Sequence, residues 1–174
     1  MRKETTTRTL CRFEELSEEV QEKAIERLYD LNVDYEWWAC TYDDAKQIGL
    51  VIETFDIDRG SYVRGKWTES AEDVAKLIIK NHGKECETYK DAVNFLAESK
   101  NGEKIYKDHP DYDAECDYAD SLDYETACEE FLRVLCEDYR MVLQKEYEYL
   151  TSREAIEETI AANEYEFTED GKLA

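Results

Sequence analysis

Leu50-Val51-Ile52-Glu53-Thr54-Phe55-Asp56-Ile57, then Asp58-Arg59-Gly60, then Ser61-Tyr62-Val63-Arg64-Gly65-Lys66-Trp67-Thr68 is the stretch that decides the fold. The first run is β-branched and apolar, the middle supplies turn chemistry, and the third alternates, which together predict a β-hairpin. The segments on either side have a helical period. Ser17 stands before Val20, Ala24, Ile25, Leu28 and Leu31, so a helix capped by Ser17 is predicted to about Leu31. A shorter helix follows through Tyr42 and Ala45. Ser70 with Asp73 resembles a capping box and opens a helix that ends near Gly83. Another starts at Thr88 and closes at Asn101-Gly102. Asp108-His109-Pro110 looks like a helix entry, because proline is well tolerated in a first turn.

From Ser121 to Leu150 the positions Tyr124, Cys128, Phe131, Leu132, Leu135, Tyr139, Val142, Leu143 and Tyr147 describe one broad apolar face, predicting the longest helix. Ser152 caps a last short helix through Ile156 and Ile160. Thr6 to Phe13 and Glu164 to Thr168 alternate as strands. The expected class is α+β: a small antiparallel sheet with a central hairpin, packed with amphipathic helices and one long helix in the C-terminal half. With one proline, six glycines and no low-complexity linker, residues 1–174 are expected to form a single domain.

Charge is the second informative feature. The chain has 44 Asp and Glu against 22 Lys and Arg, a formal net charge of -22. Between Asp108 and Glu130 there are ten carboxylates and no lysine or arginine. Like charges packed closely repel and weaken a compact state, so a one-sided surface points to a basic partner. The candidate partner-binding residues are Asp111, Asp113, Glu115, Asp117, Asp120, Asp123 and Glu125, with Glu129 and Glu130 behind them. Asp-Tyr occurs three times in this run, at 111/112, 117/118 and 123/124, and the tyrosines add hydroxyls and rings that suit arginine. The alternatives are a solvated face that only confers solubility, and a different working surface formed by the aromatic group Tyr35, Trp37 and Trp38. Core packing against the hairpin competes for those aromatics.

Other chemistries fit less well. Asp111, Asp113 and Glu115 match the start of an EF-hand loop, but Cys116 stands where glycine is needed and Leu122 where the bidentate glutamate is needed. Asp56, Asp58 and Gly60 are better explained by the hairpin turn. Cysteines 11, 40, 86, 116, 128 and 136 form no CxxC pair, and with only His82 and His109 a zinc site lacks regular spacing, so reduced thiols are expected. The sequence has no P-loop, GxGxxG, HExxH or GxSxG. Neither an enzyme, a cofactor nor a metal is expected. No apolar stretch reaches the length of a membrane span, which predicts a cytoplasmic protein that meets no membrane. The net charge disfavours direct binding of nucleic acid. The long helix also has enough apolar surface to pack against a second copy, so a homodimer is a further candidate.

Phe13-Glu14-Glu15-Leu16-Ser17 running into an amphipathic helix, Asp34-Tyr35-Glu36-Trp37-Trp38, and Phe55-Asp56-Ile57-Asp58-Arg59-Gly60-Ser61-Tyr62 resemble a family of small acidic proteins encoded by phages and mobile elements. The resemblance covers roughly residues 10 to 95 and the end, Glu164 to Leu173. It implies a genomic setting in which small acidic proteins inhibit host defence, as anti-CRISPR and antirestriction proteins do, and it transfers no functional residue. Setting and charge together lead to the expectation of a non-enzymatic inhibitor in the host bacterial cytosol. Its carboxylates would occupy the basic nucleic-acid channel of a CRISPR effector or restriction enzyme. The alternative is a phage accessory protein-interaction module that uses Tyr35, Trp37 and Trp38.

Overall fold

A computed structural model describes the backbone of residues 9–107 and 118–174, and side chains outside 98–123. The elements run β1 (Leu10–Arg12), a 3-10 turn (Phe13–Glu15), α1 (Glu18–Arg27), α2 (Ala39–Gln47), β2 (Leu50–Asp56) and β3 (Tyr62–Trp67). They continue with α3 (Ala71–Asn81), α4 (Glu87–Lys107), α5 (Tyr118–Leu150), α6 (Arg153–Ala162) and β4 (Glu166–Thr168). Helices and two-stranded antiparallel sheets make the class α+β. The chain divides into two compact units: a terminal unit of Met1–Trp37 and Lys145–Ala174, and a central unit of Trp38–Gln144.

The hairpin organises the central unit. Leu50 pairs with Trp67, Ile52 with Gly65, Thr54 with Arg64 and Phe55 with Val63. The register shifts between Ile52 and Thr54, so Glu53 is an extra residue, a β-bulge. Because side chains alternate along β3, Val63, Gly65 and Trp67 share one face, and their partners Phe55, Ile52 and Leu50 share it too. The bulge thus brings Phe55 into phase with Leu50 and Ile52. Gly65 is required at its place in this face: a Cβ there would stand 2.8 Å from the Val51 carbonyl oxygen. Asp56 caps the turn, its Oδ1 accepting from the Asp58 amide at 2.8 Å. At the open end, the Thr68 amide and hydroxyl both donate to the Gly49 carbonyl, at 2.9 and 3.1 Å.

The helices of this unit cover that face with aromatic and aliphatic side chains. Trp38 and Tyr42 meet Phe55 edge-on, at centroid distances of 5.6 and 6.1 Å. Trp67 lies 5.7 Å from Phe131, which stacks in turn on Phe95 of α4 at 4.4 Å. Phe131, Leu135, Tyr139 and Leu143 form the buried stripe of α5, while Tyr124 and Val142 of the predicted apolar face are exposed. Val74, Ala75 and Ile78 of α3 and Ala92 of α4 are buried too.

The terminal unit closes on its own core of Phe13, Leu16, Ala24, Ile156, Ile160 and Phe167. β1 and β4 pair antiparallel, with Cys11 opposite Phe167, and the Phe13 and Phe167 rings sit 5.9 Å apart. Gly171 has φ +75°, and a Cβ there would come within 2.9 Å of both the carbonyl oxygen and Cγ1 of Val20.

Several predicted boundaries move. Helix α1 ends at Arg27, not Leu31, and consecutive turns carry the chain on to Asp34. The cause is Asn32, which is buried: its Nδ2 donates to the Leu150 carbonyl at 3.1 Å, and its Oδ1 accepts from the Thr159 hydroxyl at 2.8 Å. Ser17 occupies the N-cap position of α1 but makes no capping bond. Gln21 Nε2 instead donates to the Phe13 and Leu16 carbonyls, at 3.0 and 3.2 Å. Helix α4 runs through Asn101-Gly102 to Lys107, since an interior glycine costs a helix only about 1 kcal/mol. The helix entry read at Asp108-His109-Pro110 lies outside the described residues.

Ser70 and Ser152 do cap, accepting from the Asp73 and Ala155 amides at 3.2 and 3.3 Å. Replacing either by alanine is expected to lower stability by about 1 kcal/mol in urea unfolding, with Ser17→Ala clearly milder. Gly171→Ala is expected to lose more than about 1 kcal/mol, because alanine must take the left-handed backbone and also clash.

Candidate functional site

Helix α5 carries the described part of the acidic run. Asp111, Asp113, Glu115 and Asp117 lie outside the described residues, and Asp120 and Asp123 lie on α5 with their side chains outside them. Glu125, Glu129 and Glu130 are exposed on α5. Glu125 and Glu129 are four residues apart, hence neighbours on one helical face. They differ from Glu130 in one respect that the sequence did not disclose. Arg133 grips Glu130 with two bonds, Nε at 2.9 Å and Nη2 at 2.5 Å, which hold the Glu130 carboxyl below its ordinary range. Among the described residues, no basic side chain meets Glu125 or Glu129.

That contrast recurs across the central unit. Asp43, Asp73, Glu87, Glu130 and Glu137 each pair with a lysine or arginine three residues on, at 2.5 to 3.3 Å. The unit holds 25 Asp and Glu against 13 Lys and Arg, a formal charge of -12, and the ten carboxylates of Asp108–Glu130 leave the rest at 15 against 13. The acid excess is therefore concentrated in one stretch. Exposed ion pairs add little to stability, so the pairing matters chiefly because it neutralises the surface elsewhere.

Glu129 also stands at the edge of an open groove of about 510 Å³ between β3 and α5, lined in part by Glu53, Arg64, Arg133, Cys136 and Glu137. The Arg64 guanidinium lies 4.9 Å over the Tyr62 ring. Tyrosine hydroxyls turn toward the protein's own acids: Tyr124 donates to Glu72 Oε1 at 2.5 Å and Tyr139 to Asp44 Oδ2 at 2.8 Å. Burial and these carboxylates push both phenols above their ordinary range.

Sequence reasoning missed Asp138, on the buried side of α5. Its Oδ2 is buried with no hydrogen-bond partner among the described residues. Burial first, then the Asp91, Glu87 and Glu137 charges, raise its carboxyl, against the opposing bond from Thr88. Asp91 is raised in the same direction by burial and by Glu87. With 44 acids in the chain, only the fold could single out this one.

Of the aromatic trio, Tyr35 is 61% exposed. Trp37 is half-buried, 5.7 Å from Tyr147 in the terminal unit, and Trp38 is half-buried against Phe55 in the central unit. Among the described residues, no group of three or more His, Cys, Asp or Glu side chains is placed to hold a metal ion, and Cys11, Cys40, Cys86, Cys128 and Cys136 are free thiols. No helix among them is long and apolar enough to cross a membrane. Comparison with protein-family models, curated proteins and solved structures finds no match to this chain.

A carboxyl raised in the folded state favours folding while protonated, so its contribution is full below about pH 4 and is lost as pH rises through the folded value. At neutral pH, Asp138 therefore weakens the central unit. Asp138→Asn is expected to be more stable than the parent at pH 7, with the gain vanishing near pH 4, as read by urea unfolding across that range. Equal stability at pH 7 contradicts the assignment.

Proposed function

We propose that this chain is a non-enzymatic inhibitor of a bacterial defence nucleoprotein, an anti-CRISPR protein acting in the host cytosol. It presents carboxylates to the positively charged channel that otherwise holds nucleic acid. The observation that carries this reading is the placement of charge. Ten of the central unit's twelve net negative charges fall within Asp108–Glu130, and Glu125 and Glu129 at the described end of that run form no ion pair with a basic side chain among the described residues. A helix with carboxylates one turn apart offers spacings of about 6 Å, close to the spacing of phosphate charges on a duplex strand. The phage-encoded acidic proteins that the sequence resembles give the setting. The partner is a basic protein surface, with nucleic acid as competitor.

The test is competition. Guide-loaded CRISPR effectors are titrated with the protein, and binding of labelled target DNA is followed from about 50 to about 200 mM salt. Displacement of DNA that weakens steeply with salt is expected. Glu125→Lys with Glu129→Lys is expected to reduce inhibition at least about tenfold while the far-ultraviolet spectrum is unchanged. Full inhibition by the doubly reversed variant, or inhibition indifferent to salt, overturns the mimicry.

A further inference from the structure

The β2–β3 sheet has two strands, so among the described residues β3 has a strand on one side only. The phase of the ladder shows which of its backbone groups are left over. The Thr68 amide turns to the Gly49 carbonyl, and along an antiparallel strand alternate residues turn to the same side. Val63 and Gly65 therefore present their amides and carbonyls to the free edge. The Gly65 amide faces the Cys136 thiol of α5, where it opposes the rise that burial gives that thiol. Sulfur is a weak acceptor, so a backbone carbonyl is a better partner for this donor.

The groove between β3 and α5 runs along this edge. Residues 61–65 form one wall, about 13 Å of strand. Glu129, Leu132, Arg133, Cys136 and Glu137 form the other; their spacing is that of one helical face, about 12 Å long. Walls of nearly equal length on a strand and a helix suit an extended segment of about four residues laid between them. Both ends are tied. Arg140 Nη1 donates to Ser61 Oγ at 2.9 Å, and the Trp67 ring packs 5.7 Å from Phe131. The walls thus keep their separation without a ligand, which lowers the cost of binding one.

Charge selects the occupant. Lys66 pairs with Glu53, Arg140 with Glu137 and Arg133 with Glu130, while the Arg64 guanidinium lies over Tyr62. On the α5 wall, Glu129 forms no ion pair with a basic side chain among the described residues, so the complement it lacks is a cation. We propose that this groove binds an extended segment of a partner protein as a third strand beside β3, with an arginine of that segment on Glu129. Backbone bonds at Val63 and Gly65 supply the affinity, and Glu129 sets the choice of sequence. Only the choice of a basic segment rests on the reading of the partner as a basic protein; the strand addition stands on the edge and the groove.

The probe is an acetylated, amidated hexapeptide of alternating valine and arginine, added to the full chain. On saturation, exchange of the Val63 and Gly65 amides is expected to slow at least about tenfold. Of two peptides methylated on alternate backbone nitrogens, one is expected to bind at least about tenfold more weakly than the parent and the other nearly as well, because a strand pairs through one edge. Glu129→Gln is expected to weaken binding at least about threefold. Equal binding of the parent and both methylated peptides overturns the strand addition. Undiminished binding to Glu129→Gln, or of the hexapeptide with glutamate in place of arginine, overturns the basic preference. Val63 and Gly65 amides already protected in a dimer that the peptide does not dissociate give the edge to a second copy, and overturn the proposal. Displacement of DNA from an effector by a chain that binds no peptide sinks the groove alone, whereas peptide binding without displacement sinks the mimicry alone.

Discussion

The buried stripe of Phe131, Leu135, Tyr139 and Leu143 on α5 is what the central unit is built against. The chain must gather this apolar surface while carrying twice as many acidic as basic residues, and self-repulsion opposes every step of compaction. Fully burying a large apolar side chain returns about 1.5–3 kcal/mol, so a few such residues set the scale of what holds the unit together. Phe131 does most by position, touching Phe95 on one side and Trp67 on the other. Through it α4 and the hairpin are both tied to α5.

With so few cations available, the protein turns to phenols. Tyr139 inside the central unit donates to Asp44, Tyr124 on its surface to Glu72, and Tyr149 in the terminal unit to Glu158. A hydrogen bond to a carboxylate is stronger than one between neutral groups, and a neutral donor adds no charge of its own. Tyr124, one of the three tyrosines of the acidic run that looked suited to arginines of a partner, is in this way occupied within the fold.

Local signals were legible in the sequence where one residue type dictates one geometry. The turn Asp58-Arg59-Gly60, the caps Ser70 and Ser152 and, Tyr124 and Val142 apart, the apolar run of α5 fall where their chemistry predicts. What was not legible depends on contacts distant in sequence. Glu53 reads as an ordinary strand residue until its neighbours pair with β3 and show it to be the bulge that turns Phe55 inward. Asn32 reads as a loop residue, yet it ends α1 early because Leu150 and Thr159 need its side chain. Likewise the density of acid in Asp108–Glu130 was plain, whereas the division of its described end into a neutralised Glu130 and a Glu125 and Glu129 that no basic side chain among the described residues pairs required knowing which way Arg133 turns.

That division bears on energetics as well as on recognition. Like charges four residues apart on a helix repel by about 0.2–0.5 kcal/mol, and at about 6 Å they lie inside the roughly 8 Å screening length of physiological salt. Glu125 and Glu129 therefore weaken the isolated helix that carries them, and Asp138 adds a buried carboxyl on the opposite side. A purely solubilising surface has no need of such a cluster, because charges dispersed over the same area repel less. A cationic groove laid over Glu125 and Glu129 would gain Coulombic attraction and remove this repulsion together. On the proposed reading, the repulsion between Glu125 and Glu129 in the free helix is what a cationic partner relieves.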